Sequence, residues 1–198
     1  MPKVLYSPPS PYSAKVRMAA AYAQIPLEAE IVDTNTNPPE LVDNNPLGKI
    51  PVLITDDGAI YDSRAIMQYL NRVSGGALFP RNPAKRTDAE RLEALSDGIC
   101  DCLLAHVYER RYHPEEKVHQ PWLDRQWEKV ARALDHLTAS TPKLPKKATA
   151  GHIALRITLG YLDLRFPGQW ERGRAKLQRW AARFDQRYPE LLPYLPHA

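Results

Sequence analysis

With 198 residues, 43% of them hydrophobic and 25% charged, the chain has the composition of an ordinary globular protein, long enough for one large or two small domains with real cores. It contains no apolar stretch long enough to cross a bilayer, and its first residues lack a charged-then-apolar leader, so neither a membrane association nor export is expected and a cytoplasmic location is. The net charge of +4 is uneven, with six Lys and Arg against eight Asp and Glu in residues 1–80 and 21 against 15 in residues 81–198, but the basic residues alternate with acids along helices, which predicts solvated helical faces and no nucleic-acid partner.

In chain order, Lys3-Val4-Leu5-Tyr6 reads as a strand, followed by a helix from about Ser13 to Gln24 and a second strand at Ala29-Glu30-Ile31-Val32. Val52 to Ile54 and Ala59 to Tyr61, joined by Asp56-Asp57-Gly58, read as a hairpin in which Gly58 supplies the positive φ of the turn. A helix opens at Ser63, and residues Gly75 to Pro83 form a linker without periodicity. Beyond it only helical spacing recurs: Leu92, Leu95, Ile99, Leu103; Leu123, Trp127, Val130, Leu134, Leu137; Ile153, Ile157, Tyr161, Leu164; Leu177, Trp180, Ala181, Phe184. The four tryptophans are expected in this helical core. The fold class is therefore a mixed α/β domain over residues 1–78 followed by an all-helical domain over 84–198. Thr141 to Lys147 reads as a surface loop, and the prolines from Pro189 to Pro196 end the last helix, with a return toward the first domain expected. Cys100 and Cys102, the only cysteines, are two apart on a helix, point in different directions and are expected as reduced thiols.

The most informative segment is Asn45-Pro46-Leu47-Gly48-Lys49-Ile50-Pro51-Val52-Leu53. A proline between apolar β-formers removes a ladder donor and needs a reason. A cis Ile50–Pro51 bond would supply one, turning the backbone N–H and C=O of Ile50 toward an extended peptide ligand. Downstream, Asp62-Ser63 precedes the helical spacing Ile66, Tyr69, Leu70. Free N–H groups and the positive helix end at Ser63 would hold a carboxylate, the Ser63 hydroxyl would add a bond, and Asp62 would face an ammonium. Those demands match a γ-glutamyl group.

This pairing resembles the N-terminal domain of the soluble glutathione S-transferases, a thioredoxin-like fold. Ser10-Pro11-Tyr12 is similar to the Ser-Pro-aromatic active-site turn of bacterial members, and Asp97-Gly98-Ile99, Tyr108 to Tyr112 and Gly160 to Asp163 resemble their helical domain. The resemblance implies glutathione as co-substrate, a small-molecule electrophile as second substrate, and a two-fold homodimer. Glutathione would contact Ser10, Ile50, Pro51, Asp62 and Ser63, with Lys49 and Arg64 as electrostatic helpers. Tyr12, Tyr108 and Arg111 would border the electrophile pocket.

Glutathione needs activation because a free thiol with a pKa of about 8.5 is mostly protonated at neutral pH. A hydroxyl donating to sulfur beside a helix N-terminus favours the thiolate without a metal. Ser10 suits that role, although Ser10 followed by Pro11 is equally an N-cap with proline at the first helical position, and the two roles can coexist. Tyr6, Ser7 and Tyr12 compete for it. Residues 1–80 contain no cysteine, which argues against thiol–disulfide exchange and leaves conjugation, another glutathione reaction such as isomerisation, peroxide reduction or dehalogenation, or non-catalytic ligand binding or regulation. His106, His113 and His119 lack metal-site spacing, and no metal is expected. One departure from the family pattern lies at Thr149-Ala150-Gly151-His152, where histidine replaces the acid that would reach back to the helix cap, with an expected cost of about 0.5–1 kcal/mol unless something compensates.

Overall fold

The computed structural model describes all residues from Met1 to Ala198. Strand β1 (Lys3–Tyr6) leads through helix α1 (Pro11–Tyr22) to β2 (Glu28–Ile31), then α2 (Pro39–Asn44), β3 (Val52–Thr55), β4 (Gly58–Ile60) and α3 (Ser63–Val73). The sheet order is β2-β1-β3-β4, with β1 parallel to β2 and antiparallel to β3, and β4 antiparallel to β3. Alternation along β1 gives each face its own packing. Val4 and Tyr6 join the large core with residues of α1 and α3, whereas Leu5 packs with Val32, Val52 and Leu41 of α2 in a small second cluster.

Four helices follow: α4 (Pro83–Tyr112), α5 (Gln120–Ala139), α6 (Ala150–Arg165) and α7 (Ala175–Arg187). Asn82 caps α4, accepting from Lys85 N–H at 3.1 Å, and Pro83 occupies its first turn, so the 30-residue helix begins where the linker ends. Helix α6 is buried on nearly every side. Its close crossing with α4 depends on Gly151, where a Cβ would fall 2.5 Å from the Ala89 carbonyl oxygen.

The structure revises several expectations. Helix α2 and the short 3₁₀ turns at Glu115–Lys117 and Pro189–Tyr194 have no counterpart in the periodicity. Trp170 and Trp180 are core residues, but Trp122 is 38% exposed. Cys100 is buried, with its thiol pushed up to about 12 by burial. The C-terminal tail does return to the first domain: Arg17 lies 5.5 Å from the Tyr194 ring centroid, and His197 N–H donates to Pro8 C=O at 3.3 Å.

The expected cost at His152 is corrected. Its Nδ1 accepts from Thr149 N–H at 3.2 Å and lies 2.7 Å from Thr149 Oγ1, while Nε2 lies 2.9 Å from Lys143 C=O. The neutral ring thus completes the capping box in place of a carboxylate, and its other nitrogen holds the preceding loop.

No helix is long and apolar enough to cross a membrane. No group of three or more His, Cys, Asp or Glu side chains is arranged to hold a metal ion.

Candidate functional site

A cavity of about 460 Å³ opens between the ends of the strands and helices α4 and α6. Its volume lies in the range of small-molecule sites. One half is built from loop ends and helix starts of the N-terminal domain. Ser10 caps α1, its Oγ accepting from Ser13 N–H at 3.2 Å, with Pro11 at the first helical position. That bond uses a lone pair of the hydroxyl and leaves its hydrogen to donate elsewhere.

The proline loop lines the same cavity. The Ile50–Pro51 peptide is cis, and Ile50 precedes the ladder, whose register starts at Val52. Buried Asn45 shapes this loop: its Nδ2 donates to Lys49 C=O at 2.7 Å and its Oδ1 accepts from Leu47 N–H at 3.1 Å. Gly48, at φ +59°, makes the bend. Lys49 lines the cavity from an exposed position.

The third wall is the start of α3. Asp62 caps it, Oδ1 accepting from Arg64 N–H at 3.0 Å, and Ser63 is buried beside it at the cavity edge. One helix-start donor is therefore satisfied internally, and the Asp62 carboxylate is oriented by that bond. Arg64 Nε donates to Asp97 of α4 at 3.2 Å. Asp97 also accepts two bonds of 2.8 Å from Lys15 Nζ, which reaches Glu93 at 3.2 Å. Lys15 is only 1% exposed, so this network ties α1, α3 and α4 together beneath the cavity floor. Burial pushes the Glu93 carboxyl up, partly opposed by Lys15.

The other half comes from the helical region, with Leu104, Val107, Tyr108 and Arg111 of α4 and Tyr161 and Arg165 of α6. Tyr12 lies between the halves and donates to Asp101 Oδ1, and burial followed by this bond pushes its phenol well above the usual range. Its proton is thus committed. Tyr6 does not line the cavity: it is buried, and the Arg17 guanidinium covers its ring at 4.0 Å. Ser7 does line it. Arg110 points elsewhere, pairing with Glu115 at 2.7 Å, whereas Arg111 faces the cavity.

Sequence reasoning assigned no site role to Lys15, Asp97, Asp101, Tyr161 or Arg165. One signal was available, the spacing of four between Glu93, Asp97 and Asp101, which lines up three acids on one side of a helix otherwise facing a core.

A four-stranded mixed sheet with a cis-proline loop, a capped helix start beside it and a helical second wall defines the thioredoxin-like fold class. Comparison with known proteins makes the class specific. The profile for the glutathione S-transferase N-terminal domain matches residues 9–73. A glutathione S-transferase from Methylobacterium radiotolerans, solved with glutathione sulfonate, is 31% identical, with a TM-score of 0.90 over 100% of this chain and 95% of that one. Another, from Methylobacillus flagellatus with glutathione bound, is 34% identical, with a TM-score of 0.88 over the whole of both chains. The chain belongs to the glutathione S-transferase family. Among curated relatives, the uncharacterized GST-like protein YibF of Escherichia coli is 37% identical over 127 residues, which span 61% of this chain and 62% of that protein.

Proposed function

We propose that the protein is a glutathione transferase that binds glutathione, stabilises its thiolate and conjugates it to a small electrophile. The observation that carries this reading is the convergence of Ser10, Ile50, Pro51, Asp62 and Ser63 on one cavity whose far wall is partly apolar. In this reading residues 1–78 form the glutathione-binding domain and residues 84–198 supply the electrophile wall. The cysteinyl segment pairs with the Ile50 backbone. The γ-glutamyl carboxylate takes the Ser63 hydroxyl and helix-start N–H groups, and its ammonium faces Asp62. Lys49 and Arg64 add positive potential for the carboxylates.

Ser10 is the group assigned to the sulfur. Its oxygen takes Ser13 N–H while its hydrogen donates to the thiolate, so capping and activation use different parts of one hydroxyl. Tyr12 serves as a wall, since its hydroxyl already donates to Asp101. A sulfur lone pair then forms a bond to the electrophilic carbon held against Leu104 and Val107, and the carbon's leaving group departs with its bonding electron pair. A cytoplasmic homodimer completes the reading, by likeness to the family.

The test is calorimetric titration with glutathione, with thiolate absorbance followed against pH in the same samples. Binding with a lowered thiol pKa is the expected outcome. Binding with an ordinary pKa would replace the transferase reading by a non-catalytic carrier or regulator, and absence of binding would leave the fold alone.

A further inference from the structure

The electrophile end of the cavity carries two guanidinium groups that no acid of the protein neutralises. Arg111, in the last turn of α4, and Arg165, the last residue of α6, both line it. Five other arginines have carboxylate partners: Arg64 with Asp97, Arg86 with Glu90, Arg110 with Glu115, Arg156 with Asp185 and Arg174 with Asp135. Neither Arg111 nor Arg165 has a carboxylate oxygen within 4.0 Å. The three acids that line the cavity are engaged otherwise, Asp97 by Lys15 and Arg64, Asp101 by Tyr12, and Asp62 by the cap of α3.

Arg165 adds a second observation. Its Nε is buried without a hydrogen-bond partner, although a buried donor is ordinarily satisfied. Arg111 lies 5.7 Å from the Tyr108 ring centroid, a contact with the face of the guanidinium that does not use its N–H groups. Beside these two cations, Leu104, Val107 and the buried Tyr161 ring give an apolar surface, and burial holds the Tyr161 phenol neutral with its pKa pushed up to about 12. An apolar wall ending in two guanidinium groups without carboxylate partners is the complement of a molecule with an apolar body and an anionic group.

We propose that the second substrate is a small electrophile bearing a carboxylate, which Arg111 and Arg165 hold while its apolar body lies against Leu104, Val107 and Tyr161. The assignment rests on the glutathione transferase reading above. The anion sits at the end of the molecule remote from the reacting carbon, so it orients that carbon toward the sulfur at Ser10 and takes no part in bond making.

A matched pair of conjugates tests it, S-(4-carboxy-2-nitrophenyl)glutathione and its carboxamide counterpart, titrated calorimetrically alongside glutathione itself. The carboxylate should bind at least tenfold more tightly than the carboxamide. In Arg111→Gln with Arg165→Gln the two should bind within about twofold of each other, with Arg111→Gln alone giving an intermediate ratio; glutathione binding reports that each variant is folded. Equal binding of the two conjugates to the unaltered protein overturns the proposal while leaving the transferase reading intact. A preference that survives in the double variant overturns the assignment to these arginines, and failure of glutathione and both conjugates to bind removes the transferase reading and this proposal with it. In a second readout, 4-chloro-3-nitrobenzoate and 4-chloro-3-nitrobenzamide serve as substrates: the thiolate sulfur bonds to the ring carbon, and chloride leaves with the carbon–chlorine pair. Once each kcat/KM is divided by the uncatalysed rate with glutathione, the benzoate should lead by at least tenfold, and a ratio near one overturns the proposal.

Discussion

The two halves of the cavity are built by different means. The N-terminal half uses backbone placed by loops and helix starts: the bend at Gly48, the cis peptide at Pro51, the cap at Asp62. The helical half uses side chains projecting from two regular helices, with Arg111 and Arg165 at their ends. Backbone devices suit a ligand that does not change from one protein to the next, because few sequences can make them. Side chains on a helix can change singly without disturbing the scaffold, which suits the variable partner of a reaction.

The floor beneath both halves invites the harshest test. Lys15, Glu93 and Asp97 form a buried cluster, while Arg110, further along the helix that carries the two acids, forms an exposed pair with Glu115 of the following 3₁₀ turn. Asp97→Ala leaves Lys15 and Arg64 without their shared acceptor, and the loss expected is about 3–5 kcal/mol of folding stability. Breaking the Arg110–Glu115 pair by Arg110→Ala should cost less than about 1 kcal/mol. Urea denaturation of the two variants checks the contrast. Equal small losses would mean that Glu93 alone suffices for Lys15 and that the network does not hold the domains together.

A second test separates charge from cap at the start of α3. Asp62→Ala combined with Ser63→Ala should weaken glutathione binding at least a hundredfold, about 2.7 kcal/mol. Asp62→Asn keeps a side chain that can cap the helix and removes only the charge, so it should weaken binding less. Retained affinity in the double variant, measured by calorimetry, would show that the anion site lies elsewhere.

A smaller effect is expected at Ser10. Ser10→Ala should raise the pKa of the bound thiol by about one unit, equivalent to about 1.4 kcal/mol, while glutathione affinity stays within about tenfold. An unchanged titration of thiolate absorbance would remove Ser10 from the mechanism and turn attention to Ser7, the other serine at this end of the cavity.

What could be read from the chain divides along the same line as the cavity. The proline loop and the Asp62-Ser63 helix start were legible because a backbone device demands particular residues at adjacent positions. The strands and long helices were legible from their period. Helix α2 was not, because six residues beginning at Pro39 are too few to show one. Lys15 and Asp97 could not be paired from sequence, since 82 positions separate them and each alone reads as a surface charge. Arg165 ends α6, where a cation already has a sufficient explanation in the helix dipole, so its place at the cavity only emerges once α4 and α6 are packed.

His152 carries the same contrast into the pH dependence of folding. As a neutral ring it accepts from Thr149 N–H and bridges to Lys143 C=O, packed against Trp180 with ring centroids 6.3 Å apart. Burial lowers its pKa from the usual value of 6.5, with the Lys143 carbonyl opposing. The unfolded chain therefore binds the proton more readily, so the stability His152 contributes is fully present above pH 6.5 and is lost as the pH falls through the lower folded value. Protonation would put a hydrogen on the nitrogen that must accept. Glutamine at this position retains an oxygen able to reach the cap and has no proton to gain. His152→Gln should therefore change stability by no more than about 1 kcal/mol at pH 8 and lose less than the unaltered protein between pH 7 and pH 5. Denaturation midpoints at several pH values check this, and parallel curves for the two proteins would mean that the cap survives protonation of the ring.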